Sequence, residues 1–339
     1  MAQPGDAGSK IEGNGRHVFG PVLSRRLGRS LGIDPIPSKT CNWNCVYCQL
    51  GRTAPVRHER AEFIPPDEIL AEVAEALSHQ PPGSLDWVTF VGSGEPLLHS
   101  RLGEMLRDGN KMTDVPVAVI TNGSLLSDPD VREELKVADA VLPSVDAGTA
   151  ELFRKTNRPF PSITIEEHAE GLAAFRRDFG GKLFVEVMLV RGLNDSPEAL
   201  SQTAKLIEKI RPDEIHISLP ERPPAESWVK PSDEEGIRLA SEILGGVAKV
   251  LSPGGSVLLL ENSETAVEEI LAVIGRHPLS QDQVSAALEA HPPETKNQIL
   301  EGLKASPGAK LVRRHGKGFW VSSDARFDKK TIRYIERKR

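Results

Sequence analysis

The chain's three cysteines, Cys41, Cys45 and Cys48, fall within the single run Thr40-Cys41-Asn42-Trp43-Asn44-Cys45-Val46-Tyr47-Cys48. A C-x3-C-x2-C spacing places three thiolates on one short loop, where each can take one iron of a cubane and leave the fourth iron open to a small molecule. Structural zinc wants four ligands; the nearest further candidate is His58, ten residues on, and there is no second C-x2-C pair. Incidental buried thiols, the other alternative, are seldom gathered so completely into one loop. Spacing and exclusivity together point to a [4Fe–4S] cluster on Cys41, Cys45 and Cys48.

This loop resembles the signature of the radical S-adenosylmethionine (SAM) superfamily, in which an aromatic residue stands beside the last cysteine, as Tyr47 does here. The resemblance implies that Tyr47 lies near the adenine of SAM. It also implies that the cluster passes one electron to bound SAM, giving methionine and a 5′-deoxyadenosyl radical that abstracts hydrogen from a substrate. Gly92-Ser93-Gly94-Glu95-Pro96, one βα unit further on, resembles the family's G-G-E-P turn with Ser93 in place of a glycine. Glycines let the backbone approach closely and Glu95 can accept from an ammonium; alone, the same run is a strand-terminating turn. Gly94, Glu95 and Pro96 are therefore expected at the SAM site, with Asn122, Ser144 and Asp146, at the ends of the next strands, as candidates for the ribose and methionine ends. Met188 to Val190 suit either the adenine or simple packing.

Phe19-Gly20-Pro21, the stretch Ser24 to Gly32, Asp146-Ala147-Gly148, Asn157-Arg158-Pro159 and Arg222-Pro223-Pro224-Ala225-Glu226 are similar to the wyosine-synthase-like branch of that superfamily. Branch members of known activity build a tricyclic base on guanosine of tRNA. Wyosine synthase itself holds a second cluster on additional cysteines, and this chain has none, so that reaction is not transferred. Arg25, Arg26, Arg29, Lys155, Arg158 and Arg222 are candidate contacts for an anionic substrate, against the plainer reading of surface or salt-bridged cations. His216 is read as a packed histidine rather than a proton donor.

The elements that must position these residues follow from periodicity. From Pro66 to Leu219, helix-period segments alternate with nearly apolar strands at Trp87–Val91, Val115–Ile120, Ala138–Val145, Leu183–Val190 and Glu214–Leu219, with an earlier strand near Leu31–Pro35. About six parallel strands covered by helices predict an α/β fold, a partial (β/α)6 barrel of the radical SAM type. A helix over Asp233–Leu251 and an edge strand at Ser256–Leu260 come next. Three short helices, near 264–275, 280–288 and 293–304, then precede a hairpin around His315-Gly316-Lys317-Gly318, the pattern of a winged helix. Phe319 and Trp320 read as hairpin core. The expected division is a leader at 1–18, the barrel domain at 19–261, a winged-helix-like domain at 262–323 and a basic tail at 324–339.

Charge separates the last part from the rest. Residues 304–339 carry twelve Lys/Arg against three Asp/Glu, a local +9 within a net −6, which leaves −15 on the remainder. Such a module suits nucleic acid, with Lys310, Arg313, Arg314, Lys317, Lys329, Lys330, Arg333 and residues 337–339 as the footprint, or an acidic peptide. No apolar stretch is long enough to span a bilayer, and the polar N-terminus lacks a signal-peptide core. Clustered free cysteines suit a reducing compartment, so the cytoplasm is expected, with flavodoxin or ferredoxin as the class of reductant. Modification of an RNA base, tRNA being what the branch resemblance implies, heads the expected functions. A peptide or small-metabolite substrate and a cluster-bearing DNA-binding sensor are the alternatives.

Overall fold

The computed structural model describes residues 16–251, 258, 260, 263–328, 330 and 333–334. Val18–Ser24 (β1) and Gly28–Ile33 (β2) pair as an antiparallel hairpin. The βα alternation then runs through Pro66–Ser78 (α1), Trp87–Val91 (β3), Leu102–Met112 (α2), Val117–Thr121 (β4), Pro129–Leu135 (α3) and Ala140–Pro143 (β5). It continues through Ala150–Thr156 (α4), Ile165–Asp178 (α5), Lys182–Met188 (β6), Pro197–Ile210 (α6), Glu214–Ser218 (β7), Glu234–Leu244 (α7) and Ala248–Val250 (β8). Helix starts are written locally: Asp128, Ser196 and Asp233 cap α3, α6 and α7, and Thr164 with Glu167 forms a capping box on α5.

The eight strands follow one another in sheet order β1 to β8, and every pairing from β2 onward is parallel. Monotonic order with right-handed crossovers keeps successive helices on one face, which is barrel winding; a doubly wound sheet would reverse its order at a switch point. β1 and β8 have no pairing with each other among the described residues, and the sheet is a partial barrel. Alternate strand residues divide accordingly. Val117 and Val119 pack with Leu106, Val131 and Phe175 in the core between sheet and helices. Ala118, Ala140 and Leu142 form an apolar cluster with Ile120 and Phe184 on the opposite side.

Element boundaries differ from expectation in places. The segment before the cysteines is a strand hairpin, and the expected strand at Leu31–Pro35 covers the latter part of β2 and its exit. α7 stops at Leu244, where Gly245 takes φ +88°, and β8 follows where continued helix was expected. α4, unassigned in the sequence, is a short helix capped by Thr149. The expected strand at 256–260 lies mostly outside the described residues, although Leu258 bridges Val22 antiparallel.

Beyond the barrel come Ala266–Ile274 (α8), Leu279–Ser280 (β9), Gln281–Ala287 (α9), Pro293–Ala305 (α10), Ala309–Arg314 (β10), Lys317–Ser322 (β11) and Arg333–Tyr334 (β12), with sheet order β12-β10-β11-β9. Trp320 is buried with Ile270, Val273, Leu279 and Leu303, and the same apolar cluster contains Phe19 and Val22 of β1. The three helices and hairpin thus share a core with the edge of the barrel sheet. The leader at 1–18 lies outside the described residues as far as 15, as do 329, 331–332 and 335–339 of the basic tail. Among the described residues no helix is long and apolar enough to cross a membrane.

Candidate functional site

The cysteine loop leaves β2 at Ile33 and is held by backbone pairing on two sides. Lys39 N donates to Ser93 O at 3.0 Å and Glu95 N to Thr40 O at 2.8 Å, which ties the loop to the turn after β3. A Cβ on Gly94 would overlap the Thr40 carbonyl oxygen, so this approach requires glycine. On the other side Val46 N donates to Thr156 O at 2.9 Å and Phe160 N to Asn42 O at 2.8 Å. Trp43, 2% exposed, fills the space behind the loop in edge contacts with Phe153 and His168.

Each thiol faces a nitrogen donor. Trp43 N donates to Cys41 Sγ at 3.4 Å, Asn157 Nδ2 to Cys45 Sγ at 3.8 Å, and Lys39 Nζ to Cys48 Sγ at 3.2 Å. Asn122 Nδ2 adds a second, longer contact to Cys41 at 3.9 Å. Burial pushes the Cys41 thiol up to about 12 and the Cys45 thiol well above its ordinary value. Bare thiolates here are unfavourable, whereas thiolates bound to cationic iron are not. Among the described residues no three His, Cys, Asp or Glu groups converge as the ligands of a single ion would. Three thiolates that each take a different iron need no such convergence. Donor chemistry, burial and sulfur-directed N–H groups all fit a cubane cluster.

The cysteines border a cavity of about 250 Å³, which Tyr47, Gly94, Glu95, Asn122 and Ser144 also line. Glu95, 1% exposed, accepts from Thr121 Oγ1 at 2.5 Å, Asn122 N at 2.6 Å and Leu97 N at 3.0 Å. Burial nevertheless raises its carboxyl to about 7. A carboxylate held this way at a cavity wall is matched to a cationic partner. Pro96 and Asp146 are not at the cavity surface. Asp146 stands behind Tyr47, where its carboxylate accepts from the Tyr47 hydroxyl, from Asn157 Nδ2 at 2.6 Å and from Met188 N at 2.7 Å. Its carboxyl is raised to about 6, burial outweighing these donors. Position alone could not separate a lining Asp from a supporting one.

Of the candidate cations, Arg25, Arg26 and Arg222 line the cavity. Arg29 pairs with Asp86, Lys155 with Glu151 and Arg158 with Glu226 away from it. His216 is buried, 3.0 Å from Glu214 and stacked on Phe184, as expected for a packed histidine. Sequence reading missed Lys39, Gln49, Glu186, Arg276 and His277, since none carries a spacing signal, and it singled out Asn157 only within the Asn157-Arg158-Pro159 motif, with no role at the site.

The C-terminal unit reaches this site directly. Gln49, next to Cys48, donates to Arg276 O at 3.0 Å and to His277 Nδ1 at 2.9 Å. Arg276 Nε donates at 2.8 Å to the buried Asp34, whose other oxygen accepts from Ser93 N at 3.2 Å. Arg52 N donates to Arg326 O at 2.7 Å, and a Cβ on Gly51 would overlap that residue's backbone. The expected nucleic-acid footprint shrinks in consequence. Arg314 is buried, donating to Arg222 O at 2.8 Å and Val229 O at 2.6 Å, and Lys310 donates to Ser323 O and Ala325 O, both at 2.8 Å. Arg313 and Lys317 remain exposed.

Residues 36–207 match the family model described as the radical SAM superfamily. A UPF0026 protein of Methanocaldococcus jannaschii, MJ1312, is 37% identical over 281 residues, covering 80% of this chain and 85% of its own length. A Brachyspira hyodysenteriae protein named GTPase Obg is 40% identical over 227 residues, or 67% of this chain, which spans only 33% of that longer relative. More distantly, a Thermotoga sp. protein named as a probable dual-specificity RNA methyltransferase RlmN is 28% identical over 206 residues, 57% of this chain and 56% of its own.

Proposed function

Because the chain belongs to the radical SAM superfamily, whose cofactors are a [4Fe–4S] cluster and SAM, we propose that Cys41, Cys45 and Cys48 hold that cluster beside a SAM pocket, and that the enzyme modifies a base of RNA, tRNA foremost. The observation that carries the reading is the meeting of three half-buried thiols, each with an N–H donor, and a buried acceptor carboxylate on one cavity. The cofactor pair supplies one-electron cleavage of SAM and a carbon radical for hydrogen abstraction.

The chain's own groups bind and orient. Glu95 accepts from the SAM ammonium while Thr121 and Asn122 fix its rotamer, and Gly94 lets the backbone close on the ligand. Asn122 and Ser144 give polar partners at the rim, and Tyr47, fixed by Asp146, forms the adenine side. Pro96 shapes the turn, and Trp43 keeps water from the rear of the loop. A flavodoxin or ferredoxin is the reductant, and the free cysteines suit a reducing, cytoplasmic setting. The RNA substrate is supported by the RNA-methyltransferase relative and by exposed Arg313 and Lys317 on the C-terminal hairpin, which in a winged-helix-like domain would meet phosphates.

Anaerobic reconstitution followed by reduction with dithionite and SAM is the test of chemistry. 5′-Deoxyadenosine should form in the wild type and not in Cys48→Ala; no product from either refutes the enzyme reading. Nucleoside profiles of tRNA from cells with and without the gene test the substrate. Identical profiles would remove RNA in favour of a peptide or metabolite.

A further inference from the structure

We propose that the wall formed by Arg25, Arg26, Arg222 and His277 is a subsite for an anionic group of the substrate, a phosphate or a carboxylate. This rests on the proposed function only in taking the cavity as the place where substrate meets SAM. Three separate segments supply the wall: the turn between β1 and β2 (Arg25, Arg26), the loop after β7 (Arg222) and the residues following α8 (His277). All four line the cavity that holds the cysteines, and all four also line a smaller cavity against Val91 and Ile120.

Arg26 carries the argument. Its guanidinium pairs with Glu186 along one edge, yet its Nε is buried with no partner among the described residues. A buried orphan donor of this kind is unfavourable, and a ligand acceptor would offset the loss. Arg25 is held at 2.8 Å by Glu221, and Arg222 Nε donates to Pro278 O at 2.9 Å. These contacts fix planar forks in place, the geometry that suits two oxygens of an oxyanion.

His277 is made a donor by its neighbours. Arg222 donates to Gln49 Oε1 at 3.2 Å, so the Gln49 amide nitrogen faces Arg276 O and His277 Nδ1. Nδ1 therefore accepts, and Nε2 carries the proton with no partner among the described residues. Burial first, then Arg222, Arg26, Arg276 and Arg25, hold the imidazole down to about 3, so it stays neutral. The wall consequently offers donors at these positions, with Glu186 and Glu221 already engaged by arginine.

Anaerobic calorimetry on the reconstituted holoprotein tests this with inorganic phosphate and with acetate as separate titrants. Saturable binding of either supports the subsite and identifies the group, with at least a tenfold loss in both Arg26→Gln and Arg26→Lys; the lysine variant keeps a charge to face Glu186 should the glutamine variant misfold. Binding of neither anion to the wild type, or wild-type binding by both variants, overturns the proposal. The electron paramagnetic resonance change of the wild-type cluster on adding SAM is read in parallel. Its absence alongside intact anion binding would sink the cofactor assignment and leave the subsite standing.

Discussion

The Lys39 ammonium sits 3.2 Å from Cys48 Sγ and 2.8 Å from Gly51 O, inside the loop that carries the cysteines. A cation on a ligating sulfur stabilises the more negative, reduced cluster. Lys39→Met should move the cluster potential to more negative values and slow SAM cleavage roughly 10–100-fold, the range typical of outer-shell losses. Potentiometric titration followed by paramagnetic resonance measures it, and an unshifted potential would show that the contact is only structural.

Glu95 links stability to pH in the cofactor-free protein. Its carboxyl is raised by burial from an ordinary 4.5 to about 7, so the folded state binds the proton more tightly than the unfolded chain. That contribution is complete below pH 4.5 and disappears as pH rises through about 7. Denaturation midpoints of wild type relative to Glu95→Gln should accordingly fall between about pH 5 and 7, by no more than ~1.4 kcal/mol per pH unit. A pH-independent difference would contradict the assigned environment.

Asn157 joins Asp146 to the cysteine loop some 110 residues earlier in the chain, donating towards Cys45, Tyr47 and Asp146. Asn157→Ala leaves the buried Asp146 short of one donor and should destabilise the fold by about 1–3 kcal/mol. Urea unfolding gives the loss, and the tyrosine absorbance spectrum reports whether Tyr47 changes its partner.

Arg276→Ala strands the buried Asp34 carboxylate, a change that typically costs about 3–5 kcal/mol. Because Asp34 also holds Ser93 N, the effect should spread to the turn carrying Gly94 and Glu95. Removal of residues 263–339 should go further, lowering bound iron as well as any RNA affinity, since Gln49 and Arg52 both lose partners. Iron content per chain after reconstitution decides the point: a truncated protein with full iron and full SAM cleavage would reduce the C-terminal unit to a recruitment module.

Much of the barrel was legible because covered parallel strands are apolar along their length and their helices begin at Asp, Ser and Thr caps. Less so were β1 and β8. β1 contains Gly20 and Pro21 and packs Phe19 and Val22 against the C-terminal unit, so its burial depends on a partner more than 200 residues away. β8 is only three residues long, two of them exposed, and follows Gly245-Gly246; its pairing with β7 stabilises what propensity would not.

The sequence by itself determined the chemistry available here: three cysteines at C-x3-C-x2-C, a glycine-bounded glutamate one βα unit later, and polar residues at successive strand ends. Local spacing suffices for these, because thiolates on one loop reach one cluster and strand ends in a parallel sheet face one crevice. Only the tertiary structure decided which of those residues line the cavity and which support it. Glu95 lines it and Asp146 does not; Arg26 lines it and Arg29 does not. Nor does spacing bring Arg276 and His277 to Gln49 across some 227 residues, because burial and hydrogen bonding depend on where distant segments pack.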